Sequence, residues 1–296
     1  MYIDAKTWVE LPHHQRFLRL VAAKTLRAPD TVYCGETALR LAGLPTLGVP
    51  QHIEVATARP IRLGVEDPTC RAEASAPPWV HREIMDVPRV KRHHHPFETP
   101  VRVGDFWCVP LHEAAGETMS TARLGHGLTA IDGMLRHGPA MGISAEHVEG
   151  WLGDQAVKCR RVKGLQVLAL GRPGAESPLE SGSRAVMYQH GFEEPVLQQR
   201  HTDAQGLIGF SDFWWAEQRI LAEADGAAKY LDAEMKDGRE SWHVIRDEKR
   251  REARLAAVSN RVLRWMWEDM AHPHRLVQQL SAAGLRSDPR RRIRLL

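Results

Sequence analysis

Apolar positions recur at helical spacing from the start of the chain. Leu11 to Leu26 places Phe17, Leu18, Val21 and Ala22 on one helical face, and Ala28-Pro29-Asp30 ends the pattern. A second, shorter helix is expected over Glu36 to Ala42, with Gly43 as its stop. The run from His52 to Pro60 alternates, with Ile53 and Val55 on one face, and reads as a strand. From Arg59 to Pro100 proline, arginine and histidine dominate, and short strands joined by irregular loops are the expectation. A strand and the start of a helix follow in VRVGDFWCVPLHEAA. Thr121 to Arg136 then sets Leu124, Leu128, Ile131 and Leu135 at spacings of four, three and four, and His137-Gly138 closes that helix.

The second half has sharper punctuation. Ser177-Pro178 is an N-cap and first-turn pair, and Gly191 stops the helix it begins. LIGFSDF and QRILAEA flank WAEQ and together read as a β-hairpin; with the turn centred on Ala216 and Glu217, Asp212 falls opposite Leu221 and diagonal to Glu223. Leu231 to Trp242 reads as a polar loop. Beyond it come a charged helix over Arg246 to Val258, a Ser259-Asn260 stop, the strand RVLRW, and a helix from Pro273 to Ala283 closed by Gly284. The order helix, hairpin, helix, strand, helix fits a mixed sheet flanked by helices. The glycines and proline of Gly171 to Ala175 are the best linker, so two domains are expected, 1–172 and 173–296, in a chain of mixed α/β class.

Composition refines this picture. A hydrophobic fraction of 43% and a charged fraction of 26% are those of a soluble globular protein. No apolar run reaches membrane-spanning length, and MYIDAKTWVELP lacks the regions of a signal peptide, so the cytoplasm is the expected location. The four cysteines make no CxxC pair and read as reduced, structural thiols, with no zinc site expected. Adjacent residues on a strand point to opposite faces, so His93-His94-His95 reads as a solvated loop rather than a metal site. The net charge is only +3, but arginines and lysines crowd the last fifty or so positions, the footprint of a phosphate-binding surface or of a solvated basic tail.

The candidate chemistry lies on the hairpin. Asp212, Glu223 and Asp225 would converge there, and like charges held a few ångströms apart are costly unless a hard divalent ion sits between them. The alternative is surface acids on an edge strand. Glu180 lies in the first turn of its helix, where the helix dipole alone favours a carboxylate; the other reading makes it a fourth acid of the site.

The series ESPLES, GFEEPVLQQ, FSDF, AEADGAAKY, RDEKRREARL and RVLRW resembles the PD-(D/E)xK endonuclease-like domain related to very-short-patch repair endonucleases. The resemblance spans roughly residues 175 to 285. It implies a restriction-endonuclease-like mixed sheet with Glu180, Asp212, Glu223 and Asp225 as the acidic site. Mg²⁺ or Mn²⁺ would be held by Asp212, Glu223 and Asp225, with help from the Ala224 carbonyl. Asp225 stands where the nuclease pattern has lysine, and Lys229 is the substitute cation. Lys249, Arg250 and Arg254 would lie along a DNA backbone. VYCGETALRLAGLP, QHIEVATARP and GETMSTARLGHGLTAIDGMLRHG resemble, more loosely, the N-terminal region of abortive-infection antitoxin-like actinobacterial proteins, with MYIDAKTW as the last strand of an otherwise absent winged helix. The resemblance implies a DNA endonuclease in phage defence, repair or mobile-element biology. Its rival is a non-catalytic regulator that binds DNA or a toxin partner on the same scaffold.

Overall fold

The computed structural model describes residues 5–59, 63–66, 87–96, 99–226 and 241–295. They form a mixed α/β protein of two compact units, Met1–Leu170 and Gly171–Leu296. Among the described residues no helix is long and apolar enough to cross a membrane.

The first unit contains α1 (Ala5–Glu10), α2 (His13–Arg27), β1 (Val32–Tyr33), α3 (Gly35–Leu41), β2 (His52–Thr57), β3 (Gly64–Glu66), β4 (Arg89–His94), β5 (Val101–Val103), β6 (Phe106–Cys108), α4 (Leu111–Thr121), α5 (Leu124–His137), α6 (Ala145–Gly153) and α7 (Lys158–Ala169). Its sheet runs β3-β4-β2-β1-β6-β5, with β2 parallel to β4, β1 parallel to β6, and the other pairs antiparallel. Strand alternation assigns the two faces. Ile53, Val55 and Val90 are buried, and Tyr33, paired with Val55, reaches α2 through hydrogen bonds from its hydroxyl to Val21 O (3.0 Å) and with Thr25 Oγ1 (2.8 Å). Glu54, His93 and His95 point to the other face, where α4 covers the two histidines.

Two sequence expectations are corrected in this unit. The helix α1 begins at Ala5, so AKTW is not a strand: Trp8 is buried at 5% exposure, with the Arg16 guanidinium over its ring. The histidine triplet is not a solvated loop. His93 and His95 stand two apart on one strand face, and both meet the single carboxylate of Glu117, at 2.7 Å and 3.2 Å from their Nδ1 atoms. His95 Nε2 also bonds Glu113, at 2.7 Å, one helical turn before Glu117. Burial alone would lower both imidazole pKa values, but the carboxylate hydrogen bonds outweigh it and hold each at about 9. Burial opposes ionisation of Glu117 as well, and the two histidines bring its pKa down to about 2.

The second unit contains α8 (Pro178–His190), β7 (Val196–Asp203), β8 (Gly206–Trp215), β9 (Ile220–Ala224), α9 (Ser241–Val258), β10 (Arg261–Trp265), α10 (Trp267–Ala271) and α11 (Pro273–Ala283). The sheet order is β10-β9-β8-β7: three antiparallel strands, then β10 parallel to β9 after the crossover through α9. β7 adds a strand to the hairpin expected from the sequence. Ser177 caps α8 by accepting from Glu180 N at 3.2 Å, and Gly191 ends it in the left-handed conformation, φ 74°.

Alternation along β9 splits the core. Ile220, Ala222 and Ala224 join Leu179, Val186, Met187, Phe213, Trp215, Trp265, Leu276 and Leu280 in one cluster; Leu221 joins Ile208 and Leu255 of α9 on the opposite face. The indoles are satisfied despite burial, Trp265 Nε1 donating to Ser183 Oγ (2.8 Å) and Trp215 Nε1 to Glu193 O (2.9 Å).

Gly35 supports a prediction. Its φ is +51°, and a Cβ there would collide with Glu54 Oε2, the oxygen that accepts the Glu36 amide at 2.7 Å. Gly43 has a φ of +75°, and a Cβ added there would meet nothing within 4 Å, so Gly43→Ala isolates the conformational cost. Gly43→Ala should destabilise by about 1–2 kcal/mol and Gly35→Ala by at least about 2 kcal/mol more, from loss of the Glu54 contact. Chemical denaturation of the two variants measures the difference, and equal losses would contradict the close approach.

Candidate acidic site

The hairpin register differs from the sequence expectation. Phe213 pairs with Ala222, Trp214 with Leu221 and Trp215 with Ile220, so four residues, 216–219, form the turn. The register therefore slips by two positions, which brings Asp212 beside the end of β9 rather than opposite Leu221. The ladder between β8 and β9 stops at Phe213 and Ala222, and Ala224 N donates instead to Asp212 Oδ2 at 2.8 Å.

On the other side of β8 the pairs Leu197–Phe213 and Gln199–Ser211 flank Gln198, whose φ is +49°. That backbone lets the Gln198 carboxamide reach two acids at once. Its Nε2 lies 3.3 Å from Asp212 Oδ1 and 3.3 Å from Glu180 Oε2. Glu180, only 4% exposed, also accepts from Glu176 N (2.9 Å) and from the Ser177 hydroxyl (2.8 Å). Burial and then the negative charge of Asp212 push its carboxyl up to about 7. Glu180 thus serves its own helix cap and also faces a second carboxylate.

Glu223 and Asp225 have a different environment. Glu223 sits on the α9 face of β9 with its side chain 5% exposed, and each oxygen meets one guanidinium: Arg251 at 2.6 Å and Arg264 at 2.7 Å. Arg264 is the residue paired with Glu223 across the parallel β9–β10 ladder, so the contact follows from register. The same guanidinium approaches Asp225 at 3.8 Å, and Asp225 N donates to Trp265 O at 2.9 Å. Glu248 and Glu252 of α9 extend the network on the far side of Arg251 and Arg264.

The structure thus brings Glu180 to Asp212 and gives Glu223 and Asp225 to arginines. Among the described residues, no three of these four acids place ligand atoms within 4.8 Å of one another. Lys229 lies outside the described residues. Lys249 and Arg250 are exposed on α9, whereas Arg254 is held by Asp203 through two hydrogen bonds, 2.7 Å and 2.6 Å, which pin α9 to the β7–β8 turn. Sequence reasoning missed Gln198, Arg251 and Arg264. Arg264 could have been found from the parallel pairing of RVLRW with ILAEA; Gln198 depends on a local backbone distortion that no spacing encodes.

Two uncharacterised proteins of Mycobacterium tuberculosis, from strains CDC 1551 / Oshkosh and H37Rv, are each 28% identical to this chain over 156 residues. The match covers 48% of this chain, and the chain spans about half the length of these curated relatives, 56% of each. No family model matches the chain. No solved structure matches it.

The Glu180 environment sets a pH dependence. A carboxyl whose folded pKa, about 7, exceeds its unfolded value, 4.5, contributes stability fully below pH 4.5 and loses it as pH rises through 7. Glu180→Gln keeps one carbonyl acceptor and removes the charge. The variant should gain on the order of 3 kcal/mol over the wild type at pH 8 and little at pH 4. Thermal melts of both proteins across pH 4–8 would show converging curves at the acid end; parallel curves would contradict the assignment.

Proposed function

We propose that residues 171–296 form a nuclease-derived domain that uses a divalent cation at Glu180 and Asp212 to act on DNA phosphodiester bonds. The observation that carries this reading is the Gln198-bridged pair of carboxylates. One of them, Glu180, titrates near neutrality because it is buried beside the charge of the other, so a cation placed between them relieves their repulsion. The series of motifs that resembles PD-(D/E)xK endonucleases supports the same reading, as does a mixed sheet flanked by helices.

The donor set fits a hard ion bound through oxygen. Two carboxylates are a normal protein contribution to a Mg²⁺ site, the remaining positions being filled by water and substrate phosphate. A bound Mg²⁺ or Mn²⁺ supplies a polarised phosphate and a more acidic water. The protein's own groups supply position. Asp212 is held by the Ala224 amide and Glu180 by Ser177 and the Glu176 amide, while the bridging Gln198 carboxamide would give way to the ion. Exposed Lys249 and Arg250 on α9 offer charge to a DNA backbone, contacts that position a duplex without reading its sequence. Lys229 remains the proposed cation for charge developing on the transferred phosphate.

A second reading has its own observation. Glu223 and Asp225 are neutralised by Arg251 and Arg264, which makes that half of the acidic group a buttress of the fold. A scaffold that binds DNA or a protein partner, such as a toxin, without cleavage would look like this. Phage defence, repair and mobile-element biology are the settings that either reading implies.

Cleavage assays on single-stranded, double-stranded and mismatched DNA separate the two. The nuclease reading expects nicking or cutting with Mg²⁺ or Mn²⁺, abolished by chelation and reduced at least ~100-fold by Asp212→Asn, the scale of losing one preorganised electrostatic group. Glu223→Gln should cost less than about 10-fold, because its carboxylate serves the arginines. DNA binding with no cutting under any divalent ion would establish the scaffold reading instead.

A further inference from the structure

A second group of ligand-type side chains lies in the first unit, assembled from three places far apart in the chain. Cys34 stands between β1 and α3, His93 on β4 and Glu117 on α4. Each offers one ligand atom, and these atoms lie within 4.8 Å of one another. Zinc bonds of about 2.0–2.3 Å in a tetrahedron set ligand atoms about 3.3–3.8 Å apart, so the group needs only a small adjustment to close on an ion.

The group is dry. Cys34 is fully buried, and the side chains of His93 and Glu117 are 9% and 7% exposed. A thiol, an imidazole and a carboxylate meeting in such a place form the donor set of a zinc ion rather than of magnesium or calcium, which take oxygen alone. The charges also close: thiolate, carboxylate, neutral imidazole and Zn²⁺ sum to zero, which is the condition for burying them together.

His93 turns Nδ1 to Glu117, at 2.7 Å, and its other nitrogen, Nε2, faces Glu54 Oε1 at 3.4 Å. Glu54 is held there by the Glu36 amide at 2.7 Å and so orients the His93 ring. An outer layer is in place too. The second oxygen of Glu117 meets His95 Nδ1 at 3.2 Å, and His95 Nε2 meets Glu113 at 2.7 Å, an arrangement that fixes the direction of the ligating carboxylate. Trp151 stacks on His95 at 5.6 Å between ring centroids and closes the layer.

We propose that Cys34, His93 and Glu117 bind one Zn²⁺ in the first unit, with Glu54 orienting the His93 ring from its other nitrogen. Uptake releases the Cys34 thiol proton, and any second proton on His93 with it, so that the imidazole binds in its neutral form. The ion would tie the β1–α3 junction, β4 and α4 to one point, and so act as a staple for that unit. It is independent of the acidic site of the second unit, whose donors are oxygens.

The test uses the full chain. Metal-depleted protein is titrated with Co²⁺ and then Zn²⁺, and bound zinc is counted by elemental analysis after gel filtration. The proposal expects one zinc per chain, a thiolate-to-cobalt charge-transfer band that zinc abolishes, and a higher melting temperature with zinc. Cys34→Ala should remove the band and His93→Gln should weaken zinc binding at least ~100-fold, the upper part of the range for losing a support of a metal site. Far-ultraviolet circular dichroism of each variant against metal-depleted wild type checks folding. Should Cys34→Ala fail to fold, the other three thiols decide by elimination: Cys70→Ser, Cys108→Ala and Cys159→Ser should each retain the band. No stoichiometric zinc, a cobalt band that survives Cys34→Ala, or one lost with another cysteine would overturn the proposal.

Discussion

Buried carboxylates must be neutralised or protonated, and the second unit is built around how it meets that demand on one short strand. β9 carries Glu223 into the interior beside Leu221, with Ala222 and Ala224 facing the other way into the apolar cluster. Removing one partner of such a buried charge is far more costly than the pair is worth. The α9 crossover helix and β10 answer together: Arg251 reaches down from the helix, and Arg264 arrives in register from the parallel strand. The crossover, the parallel pairing and the burial of Trp265 beside Ala224 all follow the same placement. Asp212 is treated otherwise, by a backbone amide and a bridging carboxamide, which leaves its charge acting on Glu180.

This division gives the two halves of the acidic group different capacities. Arginine-bound Glu223 ties α9 and β10 to β9, and Asp225 faces the same β10 arginine, Arg264. The Glu180–Asp212 pair places the charge of Asp212 beside a buried carboxyl, whose pKa burial and that charge together raise. The first unit solves a similar problem with histidine. Glu117 lies between His93 and His95, and the buried charge there is matched by protons on imidazole or, in the zinc-bound form proposed above, by a metal ion.

Much of the second unit is legible in the sequence because its punctuation is chemical. Ser177-Pro178, Gly191 and Gly284 fix helix ends through a cap and two left-handed glycines, and RVLRW is a strand with β-branched and aromatic positions where they are needed. β7 is not legible: VLQQRHTD has two apolar residues at one end and lies at the sheet edge, where one flank needs no apolar partner. The hairpin register lies two positions from the expected one because WAEQ carries no strong two-residue turn signal and the turn is four residues long. The histidine triplet departs from expectation for a related reason. Strand alternation separates His93 from His94 but joins His93 to His95, and the joining matters only once Glu113 and Glu117, four apart on a helix, are packed over them. Neither pattern alone carries the site.

A cation site at Glu180 and Asp212 is tested most directly by paramagnetic broadening in the ¹⁵N-resolved NMR spectrum of the full chain at substoichiometric Mn²⁺. The amides of Glu180, Gln198, Asp212 and Ala224 should broaden first, and the pattern should disappear in Asp212→Asn. Broadening centred instead on the acids of α9, Glu248 and Glu252, or no localised broadening at all, would contradict the site.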